Sequence, residues 1–221
     1  MQTNGLRRVL GECAMVGPIV FALASLVAES VQDAYGPRRE DISALAALDA
    51  QHAWIMIAGI IVLGLSIVGL GLGLVGAIRD GKSALVGETL LVLAGLAFVT
   101  AGVARNDCSS ELQACKNRVN AGDVSWHHKV HDAVGFAALL LVIAPFVFAR
   151  AFRADSRRSN LRRYSLITGV LALALALIVG GETFNGWNGL LERALVAVTF
   201  VWIAVLGWRL AQIASATRLT A

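Results

Sequence analysis

Residues 53–78 read AWIMIAGIIVLGLSIVGLGLGLVGAI, an apolar run without a single charged residue. A hydrocarbon core of about 30 Å is crossed by roughly 17–25 such residues in an α-helix. The run has no strict two-residue alternation and is about twice the length of a barrel strand, which excludes a β-barrel. A helix satisfies its own backbone hydrogen bonds, so it can cross lipid without further partners. Working outward, five more segments obey the same rule. The expected spans are 10–30, 53–78, 85–104, 131–149, 165–181 and 192–213, with 165–181 the shortest. The expected fold is therefore all-α, a polytopic membrane bundle of about six transmembrane helices forming one domain over residues 1–221.

Composition agrees. The chain is 57% hydrophobic and 15% charged with a mean hydropathy of +0.70, whereas a soluble domain carries roughly 25% charged residues. There is no room for a separate soluble enzyme. The net charge of +4 is no nucleic-acid signal, because the arginines cluster in short loops beside apolar spans. There they report membrane orientation. With the N-terminus inside, the cytoplasmic segments hold twelve Lys and Arg residues against seven opposite, and the 150–163 loop alone carries six arginines. Both termini are expected in the cytoplasm. Segment 10–30 follows Arg7 and Arg8 but is long for a signal-peptide core, so it reads as an uncleaved first helix. No internal repeat supports an inverted-repeat transporter. Gly69 and Gly73 form a G-x-x-x-G in the second span, read first as intramolecular packing.

The candidate chemistry lies in the outward segments. In 31–52, Tyr35-Gly36-Pro37 signals a turn, and Asp41 could cap a short interfacial helix starting at Ile42. In 105–130, Cys108 and Cys115 are close in sequence and outside the cytoplasm, where thiols are usually oxidised. A disulfide there would contribute about 2–3 kcal/mol, while Cys13 would stay reduced. His127, His128 and His131 follow in Trp126-His-His-Lys-Val-His-Asp132. On a helix, His127 and His131 stand one turn apart and can bind one metal ion, with Asp132 beside them; zinc is the candidate. The string is not H-E-x-x-H. His127 and His128 equally suit a half-wet helix start, whereas ionisable groups deeper in the membrane, as expected for His131 and Asp132, are more often functional. In 182–193, Glu182, Glu192 and Arg193 lie at span ends and should face the bundle. Arg193 could pair with Glu29, Asp132 or Glu182. Asn185-Gly186 reads as a turn and Trp187 as an interfacial anchor. Glu12, within reach of Arg7 and Arg8, and Glu88 read as structural.

These features resemble the bacterial membrane-protein family called domain of unknown function 998. The matching elements are the six-span layout, the string Asp41-Ile42-Ser43-Ala44-Leu45, His131 opening the fourth span, and Glu192-Arg193 opening the sixth. The resemblance implies a multi-pass protein of the bacterial plasma membrane but no activity, and it marks Ser43, His131, Glu192 and Arg193 as residues to test together. His127, His128 and the two cysteines fall outside the family pattern. A more remote similarity, in residue types only, is to membrane hydrolases that use Ser, Asp and paired His around zinc.

The leading expectation is an outward-facing polar pocket of Asp41, Ser43, His131, Asp132, Glu192 and Arg193 that binds a lipid or amphiphilic ligand. If it is an enzyme, metal-assisted hydrolysis fits best. A second reading makes the same residues a structural network in a non-enzymatic protein for lipid handling, transport or assembly. A third uses His52 and His131 as haem ligands in a redox protein. No P-loop, Rossmann fingerprint or nucleophile elbow is present.

Overall fold

Lipid removes most of the hydrophobic drive for helices to associate, so close packing and polar ties decide which spans touch. The computed structural model describes all residues except 1, 34, 79–80, 110–111, 138, 155–157, 182–185 and 220–221, and only the backbone of 2–3, 154 and 217–219. The described residues form eight α-helices, two short 3-10 turns and no strand: α1 (Gln2–Val31), α2 (Trp54–Leu74), α3 (Lys82–Val103), α4 (Gln113–Asn120), α5 (Trp126–Ala137), α6 (Leu140–Ala151), α7 (Ser159–Gly180) and α8 (Asn188–Leu219). Six stretches are long and apolar enough to cross a membrane, α5 and α6 together making the fourth. The spans pack in chain order as a ring, with α8 closing back onto α1.

Two crossings show how the ring closes. A Cβ on Gly64 would lie 2.7 Å from the carbonyl of Gly95, and one on Gly95 would lie 2.6 Å from that of Gly64. Only glycine allows α2 and α3 this approach. Gly11 and Gly207 do the same for α1 and α8, at 2.5 and 2.6 Å. Gly69 and Gly73 face Leu10 of α1, and Gly73 also faces Leu210 of α8, so that motif packs within the chain. Inside the ring Phe21 meets Phe200 edge-on at 5.2 Å, and Phe148 meets Trp202 at 5.6 Å. The indole of Trp202 donates to the hydroxyl of Ser165 on α7, satisfying two buried polar groups.

The two ends of the bundle differ. At one end the loops 32–53, 104–125 and 186–187 cover the helix ends and bond to one another. At the other, Arg7 donates to the Val75 carbonyl just past α2 at 2.8 Å, and Arg8 pairs with Glu12 within α1 at 2.7 Å.

Three sequence expectations change. The fourth span does not start at 131; its first helix begins at Trp126, because the Ser125 hydroxyl accepts the His128 amide and caps it. That span also comes in two pieces, described on either side of residue 138. The Leu139 amide reaches back only three residues, to Phe136. Pro145, inside α6, has no N–H to offer the carbonyl one turn earlier. Finally, Ile42–Ala46 is not an interfacial helix but a buried 3-10 turn, with Ile42 and Leu45 5% and 1% exposed. Asp41 precedes it without a side-chain cap bond.

Candidate functional site

The covered end holds two polar clusters, organised by Arg193 and by Asp107. Arg193 projects from the first turns of α8. Its Nε and Nη2 donate to Glu29 Oε1 at 3.1 and 2.5 Å, and Nη2 also donates to the Tyr35 hydroxyl at 2.6 Å. Nη1 donates to the carbonyls of Glu40 and Gly189 at 3.1 and 2.9 Å. A guanidinium has five N–H donors in a fixed fork, and five contacts are present. Arg193 is therefore fully engaged within the protein, joining α1, the 35–41 loop and its own helix.

The surrounding residues hold that loop in place. Tyr35 passes its own proton to the carbonyls of Asp41 and Glu40, at 3.0 and 3.2 Å. Burial pushes the Tyr35 phenol up to about 12, outweighing the Arg193 guanidinium, which favours the phenolate. Glu192 Oε2 accepts the Ile42 amide at 2.8 Å, pinning the start of the buried turn to α8. The Glu40 carboxylate accepts the Gly36 amide and the Ser109 hydroxyl. Gly189 lets α8 lie directly on this loop, since a Cβ there would collide with the carbonyls of Glu40 and Pro37. The Arg38 guanidinium lies 5.1 Å over the ring of Trp187, giving that tryptophan a partner in the protein.

Arg105 links the clusters by donating to the carbonyls of Ala46 and Ala47 at the end of the buried turn. Next to it Asn106 donates weakly to the Ser43 hydroxyl at 3.5 Å, and its buried Oδ1 has no partner among the described residues.

Asp107 centres the second cluster. Its carboxylate accepts the amide and hydroxyl of Ser125 at 2.8 and 2.5 Å and lies 3.6 Å from Arg118. Burial works to raise the Asp107 carboxyl. The Ser125 bonds and the imidazoles of His128 and His127 outweigh it and hold the group below the usual carboxylate range. The Asp107 amide donates to His128 Nδ1 at 3.0 Å, leaving His128 Nε2 to face Asp132 at 3.6 Å. His127 Nδ1 faces the Arg105 carbonyl and the Ser125 hydroxyl at 2.9 and 2.8 Å. A hydrolytic triad needs histidine between serine and aspartate, one ring nitrogen to each. Here Ser125 lies between Asp107 and His127, and its hydroxyl donates to the aspartate. The cluster is a loop lock.

His131 belongs to neither cluster. Its Nδ1 faces the carbonyls of Ala104 and Ala101, at 2.7 and 3.2 Å. Carbonyls only accept, so Nδ1 carries the proton and caps the orphan carbonyls ending α3. Asp132 is 54% exposed, not deep in the bundle as its place in the sequence suggested.

The six residues grouped from sequence are thus divided. Asp41, Ser43, Glu192 and Arg193 surround the buried turn, while His131 and Asp132 lie on α5. Among the described residues no three His, Cys, Asp or Glu side chains are grouped to hold a metal ion, and His127, His131 and Asp132 each have other partners. His52 is exposed in the turn before α2, at φ +51°, in a setting unlike that of buried His131. Cys108 and Cys115 form a disulfide, and Cys13 is free. Glu182 and Asn185 lie outside the described residues. The sequence reading missed Asp107, Ser125 and the hydroxyl role of Tyr35; only the serine just before a helix start carried a usable signal.

Below the Arg193 cluster, α1 and α8 diverge. A groove of about 850 Å³ runs between them from Glu29 and Arg193 down to Met15 and Trp208. Its walls are almost wholly apolar, with Ser25 and Glu29 at the covered end. Among the described residues Glu29 Oε2 takes no hydrogen bond, because both Arg193 contacts and the Ser25 hydroxyl use Oε1.

Set against known proteins, residues 15–209 match the model of a family described as a protein of unknown function, DUF998. No curated protein and no solved structure matches the chain.

Proposed function

The chain belongs to the DUF998 family, a membership that brings no activity with it, and from there we propose that it is a non-enzymatic holder of a membrane amphiphile. The apolar chain of the ligand would lie in the α1–α8 groove with its polar head at Glu29. One observation carries this reading. The groove joins a long apolar slot to Glu29 Oε2 at the covered end, an acceptor without a hydrogen bond among the described residues. Met15 to Glu29 is about 21 Å of helix rise, longer than one leaflet of a roughly 30 Å core. With every Arg193 donor engaged, the head meets an acceptor and not a cation. A hydroxyl or amine head suits that end better than a phosphate.

The Arg193 network then serves as scaffold, with Asp41, Ser43 and Glu192 setting the wall above the groove. Hydrolysis through His127, His131 and Asp132 lacks a converging ligand set to support it. The arginine bias of the loops supports termini in the cytoplasm and the covered end outside, in what we take to be a bacterial plasma membrane.

The test is mass spectrometry of the lipid extract from protein purified in mild detergent. An amphiphile with a hydroxyl or amine head should be retained near one per chain. It should be lost from an Ala197→Phe, Ala204→Phe variant, which fills the slot, while thermal unfolding in detergent stays the same. Equal retention by the filled variant would remove the groove from the account.

A further inference from the structure

At the arginine-rich end, α6 runs into a 3-10 turn (Phe152–Ala154) and α7 begins at Ser159. A cavity of about 160 Å³ lies in this corner, lined by Phe146, Ala149, Arg150, Arg153, Arg162 and Leu166. Three guanidinium-bearing side chains thus meet one small space over an apolar floor. We propose that this cavity binds a phosphate-bearing anion, the head group of an anionic lipid in the adjacent leaflet. The proposal does not depend on the groove between α1 and α8, which is at a different seam of the ring.

Three observations carry it. First, among the described residues none of the three arginines makes an ion pair or side-chain hydrogen bond, whereas Arg7 and Arg8 at the same end are both engaged. Exposed guanidinium groups converging on one pocket repel one another unless an anion joins them, and planar forks suit phosphate oxygens in particular. Second, helix electrostatics explain only part of the arrangement. Arg150 at the end of α6 complements the negative helix terminus. Arg162 lies in the opening turns of α7, where a cation is disfavoured, and no acidic residue accompanies it in the first turn. Third, Phe146 and Leu166 belong to the membrane-spanning helices, and Leu166 is exposed. The floor therefore opens toward acyl chains, as a lipid head group requires and a soluble anion does not. The general bias of arginine to one membrane face accounts for its presence at this end. It does not make three of them line one cavity. Basic pockets between spanning helices are suited to anionic lipid head groups.

The test uses the full chain in nanodiscs, comparing phosphatidylcholine alone with phosphatidylcholine containing phosphatidylglycerol, read by native mass spectrometry. An Arg153→Gln, Arg162→Gln pair is set beside a Lys82→Gln, Arg163→Gln pair, which removes the same charge from the same end outside the cavity. Phosphatidylglycerol retention should fall about tenfold further in the first pair than in the second, the loss of charge-assisted phosphate contacts. An Arg153→Lys, Arg162→Lys variant should fold and recover part of the binding. Equal losses in the two glutamine pairs would reduce the effect to net charge and overturn the proposal. Stabilisation by inorganic phosphate in lipid-free detergent, abolished by the cavity pair but unaccompanied by phosphatidylglycerol retention, would reassign the site to a soluble anion.

Discussion

Arg193 and Glu29 meet across the seam between α8 and α1, with 164 residues between them in sequence and 2.5 Å between guanidinium nitrogen and carboxylate oxygen. Both side chains are about four-fifths buried, at 19% and 18% exposure. Neither helix would tolerate its charge alone at this depth.

Replacing Arg193 with Gln leaves a buried carboxylate unpaired and frees the carbonyls of Glu40 and Gly189. The expected loss is about 3 kcal/mol or more, read as a lowered midpoint of thermal unfolding in detergent. Arg193→Lys should recover only part of it, since one ammonium cannot reproduce a five-donor fork. Full stability of the lysine variant would mean that charge alone matters here.

Tyr35 should titrate late. In a Tyr164→Phe background its near-ultraviolet phenolate absorbance should appear near pH 12. The folded value lies above the unfolded one. The stability attached to the neutral phenol is therefore complete below the ordinary phenol value of 10.0 and is lost as pH rises toward about 12. A midpoint at the ordinary phenol value would show that the hydroxyl is not buried against Glu40 and Asp41.

Acid should unlock the second cluster. Asp107 is depressed when folded, so its contribution is present at neutral pH and disappears as pH falls through the folded value. An Asp107→Asn variant should be less stable at neutral pH, and its unfolding midpoint should change less on acidification than that of the parent. Parallel pH profiles for the two proteins would assign the acid sensitivity elsewhere.

Reduction of Cys108–Cys115 should cost about 2–3 kcal/mol, as expected for a small loop. It should also loosen the 35–41 loop, because Ser109, next to Cys108, holds Glu40 at 2.7 Å. Hydrogen exchange at the Arg39 and Glu40 amides would report this. Unchanged exchange there after complete reduction would separate the two loops.

The spans were legible because lipid imposes a length and a composition that no other environment demands. Gly69 and Gly73 were legible as packing residues for the same reason. The polar face was legible by residue type and only partly by place. His131 reads as a pocket residue because it is ionisable and near a span end, but its proton goes to the last carbonyls of α3. Nothing local in the sequence records that neighbour. Asp107 and Ser125 look like ordinary loop residues, and their partners come from how 104–125 folds over the bundle. Helical periodicity says which side chains turn inward, not which helix they meet.

The meeting of α1 and α8 at Gly11 and Gly207 has a consequence for how the chain is made. α1 ends at Val31 and α8 starts at Asn188, so at about 5–20 residues per second α1 waits roughly 8–30 s for this neighbour to be synthesised. Throughout that interval Glu29 sits in the membrane without its cation. A chain that stops short of α8 therefore keeps the acid of α1 without the cation that the finished fold sets against it.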